Sequence, residues 1–496
     1  MKNSNGLLIT AVLLCLSITL TVGQSNSQFD VVLKGGRVID PETQLDAIRN
    51  VGIRDGRILE ISTDELLGKD IIDVSGLVVS PGFIDLHVHG ITNVEQEYQA
   101  HDGVTSAFEL EGGIPFLKEW YATRKGKAMI NYGASVEWPM LRVKATGKYD
   151  NELEQLRASI ARGESGDGKT WGIIGKYGYE NLTNAETAKL LEYISASLDE
   201  GGIGIGIPVG YLPGATREEV FNIYKLAGEK QVPVISHVRE GGAIAVQQAI
   251  SDAVVTSAPL HVVHINSVTL GEIDLAVEMI NTAQKRGFDI TTEIYPYTAA
   301  STSLESALFD EGWQDKFGIS YDGLQWVATG ERLTKETFIK YRKEGGVVII
   351  HMMKPEWIKS GIASDNTMIA SDGMPYAKLA HPRTAGTFSR VLGKYVREEK
   401  VISLPEAIEK MTLLPAKRLE GVAPIMRFKG RIQVGTDADI TVFDPNTIID
   451  KATFEKGLAF SEGVQFVLVN GVFVLKEGKT VKNVYPGQPV YGKYKK

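Results

Sequence analysis

Cysteine is almost absent from this 496-residue chain: Cys15 is the only one, and it lies in the first apolar run. Beyond that run there is no disulfide, no thiolate nucleophile and no cysteine metal ligand. Any metal site must be made from His, Asp and Glu, or from a modified side chain. A basic excess is lacking too. Lys and Arg number 53 against 61 Asp and Glu, the net charge is −8 and the pI is near 5.7. No basic stripe stands out, so nucleic acid is not an expected partner. Long hydrophobic runs are lacking except at the start, where Lys2 precedes an apolar stretch from Gly6 to about Val22. That pattern predicts a secretory leader over 1–23, cleaved after Gly23, with a periplasmic or secreted protein and no membrane span once it is removed. The competing expectation is a permanent N-terminal anchor, for which the run is marginally long. A lipoprotein is excluded because Leu14 precedes Cys15, where a small residue is needed.

What is present is globular. Hydrophobic residues make up 43% and charged residues 23%, and the length suits one large domain with an accessory one. From Phe29 to about Val79 the text is β-like, with turns expected at Gly35-Gly36 and Asp55-Gly56. The style returns at the far end, where Asn470-Gly471 marks a hairpin. The two ends, 29–80 and 422–490, are expected to meet in a small β-sandwich. Between them, from 81 to 421, short apolar runs alternate with helical patterns such as "TREEVFNIYKLAGEK", where Thr216 and Glu219 have capping-box spacing, and "SLPEAIEKMTLLPAKRLEG", where Ser403 and Glu406 do. Repeated β–α units of this length predict a (β/α)8 barrel. Ten candidate strands exceed eight: 83–89, 104–111, 129–136, 171–175, 202–208, 233–238, 260–265, 289–295, 347–352 and 367–371. The stretch from about 302 to 344 is the expected insertion and a candidate lid. "GGIGIGIPVG" (201–210) is not a dinucleotide loop. Its glycines alternate with isoleucines in strand period, as in a strand whose bare inner face leaves room in the barrel.

Polar residues at strand ends carry the functional signal. In "FIDLHVH", Ile84, Leu86 and Val88 form one face; Asp85, His87 and His89 form the other and project inward. In "TSAFELEGG", Glu109 and Glu111 face in, and carboxylates there need cations or protons. His237, His264 and Asp372 also close apolar runs. His261, on the opposite face from His264, is expected to be structural. All these candidates fall at the C-terminal ends of candidate strands, where barrel active sites lie. Imidazole and carboxylate suit zinc best, with other divalent transition metals open. Four histidines with at least two carboxylates fit one or two ions, with a bridging carboxylate and water. Asp372 is the candidate general acid/base, and hydrolysis of an amide-like bond in a small-molecule substrate is the reaction class that follows.

"VVSPGFIDLHVH", "ISHVRE", "HVVHINS", "IASDGMP" and "VGTDADITVFDP" resemble the amidohydrolase superfamily. "SHVREGG", "IYPYTAAST", "HPRTAGTFSRVLGKY", "AIEKMTLLPAKRL" and "FDPNTIIDKATFE" resemble its D-aminoacylase branch, the N-acyl-D-amino-acid deacylases, over nearly all of the chain after the leader. The resemblance implies that His87, His89 and Asp372 hold one metal and His237 and His264 the other. It implies that Asp372 moves the proton, that Arg383 pairs with the substrate carboxylate, and that Tyr295 and Ser301 are further substrate contacts. Two positions depart from the branch. Its metal-ligating cysteine on the second strand is missing, with Glu111 the nearest substitute and Glu109 the rival. Asn266 stands where the branch has a lysine near the substrate carboxylate. A dipeptidase or cyclic-amide hydrolase of the same superfamily is therefore the alternative enzyme, and a barrel that has lost catalysis and only binds is the alternative of another class. His351 and His381 are expected to be structural. Homo-oligomerisation is left open.

Overall fold

A computed structural model describes residues 28–164, 172–173, 175–377 and 379–496; the expected leader at 1–23 lies outside them. Eight parallel strands form the barrel in chain order: Phe83–Asp85, Val104–Ile114, Asn131–Glu137, Ile205–Pro208, Val234–His237, Leu260–Val262, Ile290–Ile294 and Thr367–Ile369. The ring closes just past the first and last strands. Val88 bridges to Gly373, and His89 N–H donates to Gly373 O at 2.7 Å. The alternation in "FIDLHVH" holds: Ile84, Leu86 and Val88 are buried in the main core, and Asp85 and His87 are buried on the inner side. Asp85 ties first strand to last, since its Oδ1 accepts from His87 N–H and from Ser371 N–H, at 3.2 and 2.9 Å.

Two of the ten candidate strands are not in the barrel. At 171–175 the described residues 172, 173 and 175 are helical; short apolar runs do not distinguish strand from buried helix. Val347–Ile350 is the middle of a separate antiparallel sheet with Ala300–Ser303 and Leu324–Trp326. That sheet and its helices lie between the seventh and eighth barrel strands and pack on their own cluster of Leu304, Phe309, Trp313, Phe338 and Val348.

The glycine-rich strand corrects another expectation. A Cβ at Gly206 would meet Glu111 O at 2.3 Å and Leu110 O at 2.7 Å. The bare face does not leave space; it admits the neighbouring backbone. The second strand bulges there, its register on the third jumping between Glu109 and Ile114. Gly113, at φ +79°, sits so close to Glu137 N (2.7 Å from an added Cβ) that only glycine fits. The bulge carries Glu111 toward the barrel axis.

Both chain ends build one mixed sheet around its own apolar core. Its seam is Val78–Pro81 paired antiparallel with Ile440–Phe443. Asp55-Gly56 and Asn470-Gly471 are tight turns with positive φ at both residues. Gly35-Gly36 is not a turn: Phe29–Asp40 is one strand with a bulge there, so that its two halves pair with different neighbours on one side, Gly68–Asp73 and Val78–Pro81. The helix caps at Thr216 and Ser403 form, accepting from Glu219 N–H and Glu406 N–H. Glu219 does not complete a box; its carboxylate takes Arg142 and Trp138 instead.

Candidate metal centre

Five of the eight strand ends, the first, second, fifth, sixth and eighth, deliver polar side chains to one point at the C-terminal mouth. Glu111 is at its middle. Its Oε2 lies 3.2 Å from His87 Nε2 and 3.2 Å from His89 Nε2. Its Oε1 lies 2.8 Å from His237 Nδ1 and 3.1 Å from His264 Nε2. Asp372 Oδ1 is 3.5 Å from His87 Nε2 and 3.4 Å from His89 Nε2. Three sets of side chains present donor atoms close enough to share an ion: His87, His264 and Asp372; His87, His89 and Glu111; Glu111, His237 and His264. Glu111 thus faces one histidine pair with each oxygen, the position of a bridge. His264 and Asp372 both have left-handed backbone, φ +33° and +52°, conformations that cost energy and concentrate at functional sites.

The donor set fits a divalent cation. Ligands about 2.0–2.2 Å from a tetrahedral ion stand about 3.3–3.6 Å apart, and the spacings around His87, His89 and Asp372 match that better than they match hydrogen bonds. The electrostatics agree. Burial disfavours a charged His87, yet Asp372, Glu293 and Glu111 outweigh it and hold its pKa well above the ordinary value. For His89, Glu109 and Asp372 outweigh burial in the same way. Burial also opposes the Glu111 carboxylate, but His87, His237 and His264 hold it well below the usual range. Four buried carboxylates, Glu109, Glu111, Glu293 and Asp372, meet here, and the dry site calls for positive charge.

Glu109 is not part of any of the three donor sets. Its Oε2 accepts from His89 Nδ1–H at 2.8 Å and its Oε1 from Gly112 N–H at 3.1 Å. It therefore orients His89 from behind. Arg383 and Tyr295 are each 1% exposed. Arg383 Nη2 lies 2.9 Å from Asp372 Oδ1 and donates to Ser301 O at 3.2 Å, and the guanidinium sits 4.7 Å over the Tyr295 ring. Ser301 lines the cavity itself. Asn266 is fully buried beside Tyr295, donating to Tyr295 O and Met353 Sδ with its Oδ1 unpartnered; like Arg383 and Tyr295, it lines neither cavity at the centre. His381 holds the start of the Arg383 helix, accepting from Arg383 N–H at 3.1 Å through Nδ1. His351 bonds Gln325 in the three-stranded sheet.

Sequence reasoning missed Glu293. In "ITTEI" it is a carboxylate inside a barrel strand, the same signal that singled out Glu109 and Glu111. His261 also turns inward, one layer below His264, because the left-handed turn at His264 breaks the strand alternation.

Two cavities, of about 530 and 550 Å³, open from the centre and share Tyr211, His264, Ser301, Thr302 and Asp372. Tyr211 Oη and Thr302 Oγ1, 2.9 Å apart, stand between them. The second cavity has apolar walls, including Val268, Leu308, Phe317 and Ile350, with Lys316 and Glu240 at its edge.

Residues 241–475 match the Amidohydrolase family. Over 482 residues, 92% of this chain and 96% of the relative, the chain is 29% identical to a D-aminoacylase of Alcaligenes xylosoxydans xylosoxydans. It is also 29% identical to the N-acyl-D-glutamate deacylase of that organism, over 91% of this chain and 94% of the relative. The crystal structure of an N-acyl-D-glutamate deacylase from Bordetella bronchiseptica, complexed with zinc and a phosphonate inhibitor, superimposes with a TM-score of 0.78 at 24% identity, covering 93% and 99% of the two chains. With the inward histidines and carboxylates at its strand ends, this chain resembles the amidohydrolase superfamily, and its donor set suits a metal-dependent hydrolase of carbon–nitrogen bonds.

Proposed function

We propose that the chain is an N-acyl-D-amino-acid deacylase. The observation that carries this reading is a group of buried polar atoms beside Asp372 that no protein group satisfies: Arg383 Nε and Nη1, Tyr295 Oη and Ser301 Oγ. Leaving such atoms unpaired costs about 1–3 kcal/mol each. A ligand carboxylate matches the guanidinium fork, and two such relatives act on N-acylated D-amino acids by name. The two cavities suit a substrate whose amide lies at their junction with its halves on either side.

In this reading His87, His89 and Asp372 would hold one ion and His237 and His264 the other, with Glu111 available to both. Zinc or a similar divalent ion there would polarise the carbonyl and acidify water. Asp372 takes the proton of the attacking water and returns it to the leaving nitrogen. Tyr295 donates to the carbonyl oxygen as charge builds on it, and Arg383 fixes the free carboxylate. Asn266 carries no charge where the branch has a lysine, so Arg383 supplies the cation for the carboxylate in this reading.

The test is a hydrolysis screen of N-acetyl- and N-succinyl-amino acids in both enantiomers, alongside dipeptides and cyclic imides. Turnover of the D-enantiomers above all others is expected. Activity confined to L-dipeptides or to cyclic imides would overturn the deacylase reading and leave the metal chemistry standing.

A further inference from the structure

Behind the metal centre a second layer of side chains is wired to only one half of it. Glu293, on the seventh barrel strand, is 1% exposed. Its Oε1 accepts from His87 Nδ1–H at 2.6 Å, and its Oε2 accepts from His261 Nε2–H at 3.0 Å. His261 Nδ1 lies 2.8 Å from Thr291 Oγ1, its direct partner in the strand register. Thr291 Oγ1 is also 3.4 Å from Leu260 O, the longer and weaker of its two contacts.

The direction of every proton in this chain is set by the carboxylate. Glu293 can only accept, so both imidazoles must donate to it. His261 then carries its proton on Nε2 and has Nδ1 free to accept from the Thr291 hydroxyl. His87 donates its Nδ1 proton to Glu293, which leaves Nε2, on the side of Glu111 and Asp372, as the atom that would bind an ion. A carboxylate buried this deeply needs more than one donor, and His261 supplies the second. His89 has its own counterpart in Glu109. The other half of the centre is built differently. His264 Nδ1 is buried with no hydrogen-bond partner, and among the described residues His237 meets no carboxylate except Glu111.

We propose that Glu293, with His261 behind it, is a positioning pair that sets ion affinity at the His87–His89–Asp372 half of the centre and leaves the His237–His264 half unchanged. This rests on the reading of those residues as metal ligands.

The experiment is a zinc titration of the metal-stripped full-length protein against a competing chelator, with folding followed by circular dichroism. In the wild type, the His87 half and the His237 half are expected as two binding classes. Glu293→Gln is expected to weaken one class by about 10–100-fold and leave the other unchanged. His261→Leu removes the second donor and is expected to weaken the same class. His261→Gln, whose amide N–H can replace that donor, is expected to restore most of the loss, which a general packing defect would not allow. If Glu293→Gln does not fold, the His261 pair decides the matter alone. Folded variants that bind zinc as the wild type does, or that lose both classes equally, would overturn the inference. A wild type that binds no zinc would instead overturn the ligand reading beneath it.

Discussion

Arg383 and Asp372 form a buried ion pair, Nη2 to Oδ1 at 2.9 Å, with 1% and 9% of the two side chains exposed. Burial works against the Asp372 carboxylate, and Arg383 is the largest of the groups that offset it and hold its pKa below the usual value. The guanidinium thus favours the ionised form of Asp372, while its Nε and Nη1 are buried without a partner; under the proposed function those two donors are available to a substrate carboxylate.

Arg383→Ala is expected to cost about 2–5 kcal/mol in kcat/KM toward carboxylate substrates, the scale for breaking a buried charged pair. Arg383→Lys keeps the charge but not the fork, and should recover only part. The wild type should prefer N-acetyl-D-leucine over its C-terminal amide, and Arg383→Ala should lose that preference. Kinetics on the two compounds decide it; an unchanged preference would move the carboxylate contact elsewhere.

The two second-strand carboxylates should separate cleanly. Glu111 touches all four histidines, so Glu111→Gln is expected to lower metal content at both halves and take hydrolysis to background. Glu109 touches only His89 among them, so Glu109→Gln should keep both ions, with affinity at one half reduced about 10–100-fold. Elemental analysis after dialysis against graded chelator distinguishes the two.

Much of this site was legible in the sequence, and particular residues show why. Strand alternation turned His87 and His89 inward, and His237, His264 and Asp372 each end an apolar run, which put them at the barrel mouth. Glu109 and Glu111 could not be ranked, because both lie on the same face two residues apart. Only the bulge at Gly112-Gly113 separates them, and a bulge breaks the period on which sequence patterning depends. His261 was set aside by the same assumption of unbroken alternation, which the left-handed backbone at His264 violates. Glu293 carried a signal that was there to find, a lone acid in a buried strand. The closure of the barrel through Val88 and Gly373 has no local signature, since it depends on residues far apart in the chain.

Lys316 stands at the edge of the second cavity beside Glu240 and Gly241. Burial lowers its pKa, against the pull of Glu240, and no ion pair holds it among the described residues. Lys316→Ala is expected to raise KM for substrates with an acidic side chain by about two- to fivefold, the scale of a partly exposed ion pair, and to leave KM for leucine-type substrates unchanged. An equal rise for both would remove Lys316 from side-chain recognition.

Acid stability should depend on His101, remote from the centre. Its ring stacks on Phe460 at 3.7 Å, its Nε2 lies 2.9 Å from Thr480 Oγ1, and burial lowers its pKa to about 4 against the opposing charge of Glu97. The folded chain therefore takes up this proton later than the unfolded chain, whose histidine titrates near 6.5. The stabilisation is present above about pH 6.5 and is lost as pH falls toward 4. His351 shares the shift, so His101→Gln removes part of the effect. The variant should start from a lower Tm at pH 7.5 and lose less of it by pH 4.5. Parallel Tm profiles would rule His101 out.

The central claim is that hydrolysis depends on ions held around Glu111. Its most direct test is N-acetyl-D-amino-acid hydrolysis by one preparation as purified, after chelation, and after zinc is restored, with metal content measured at each stage. One or two ions per chain, loss of activity on chelation and its return with zinc are expected. Full activity in the metal-free protein would contradict the account.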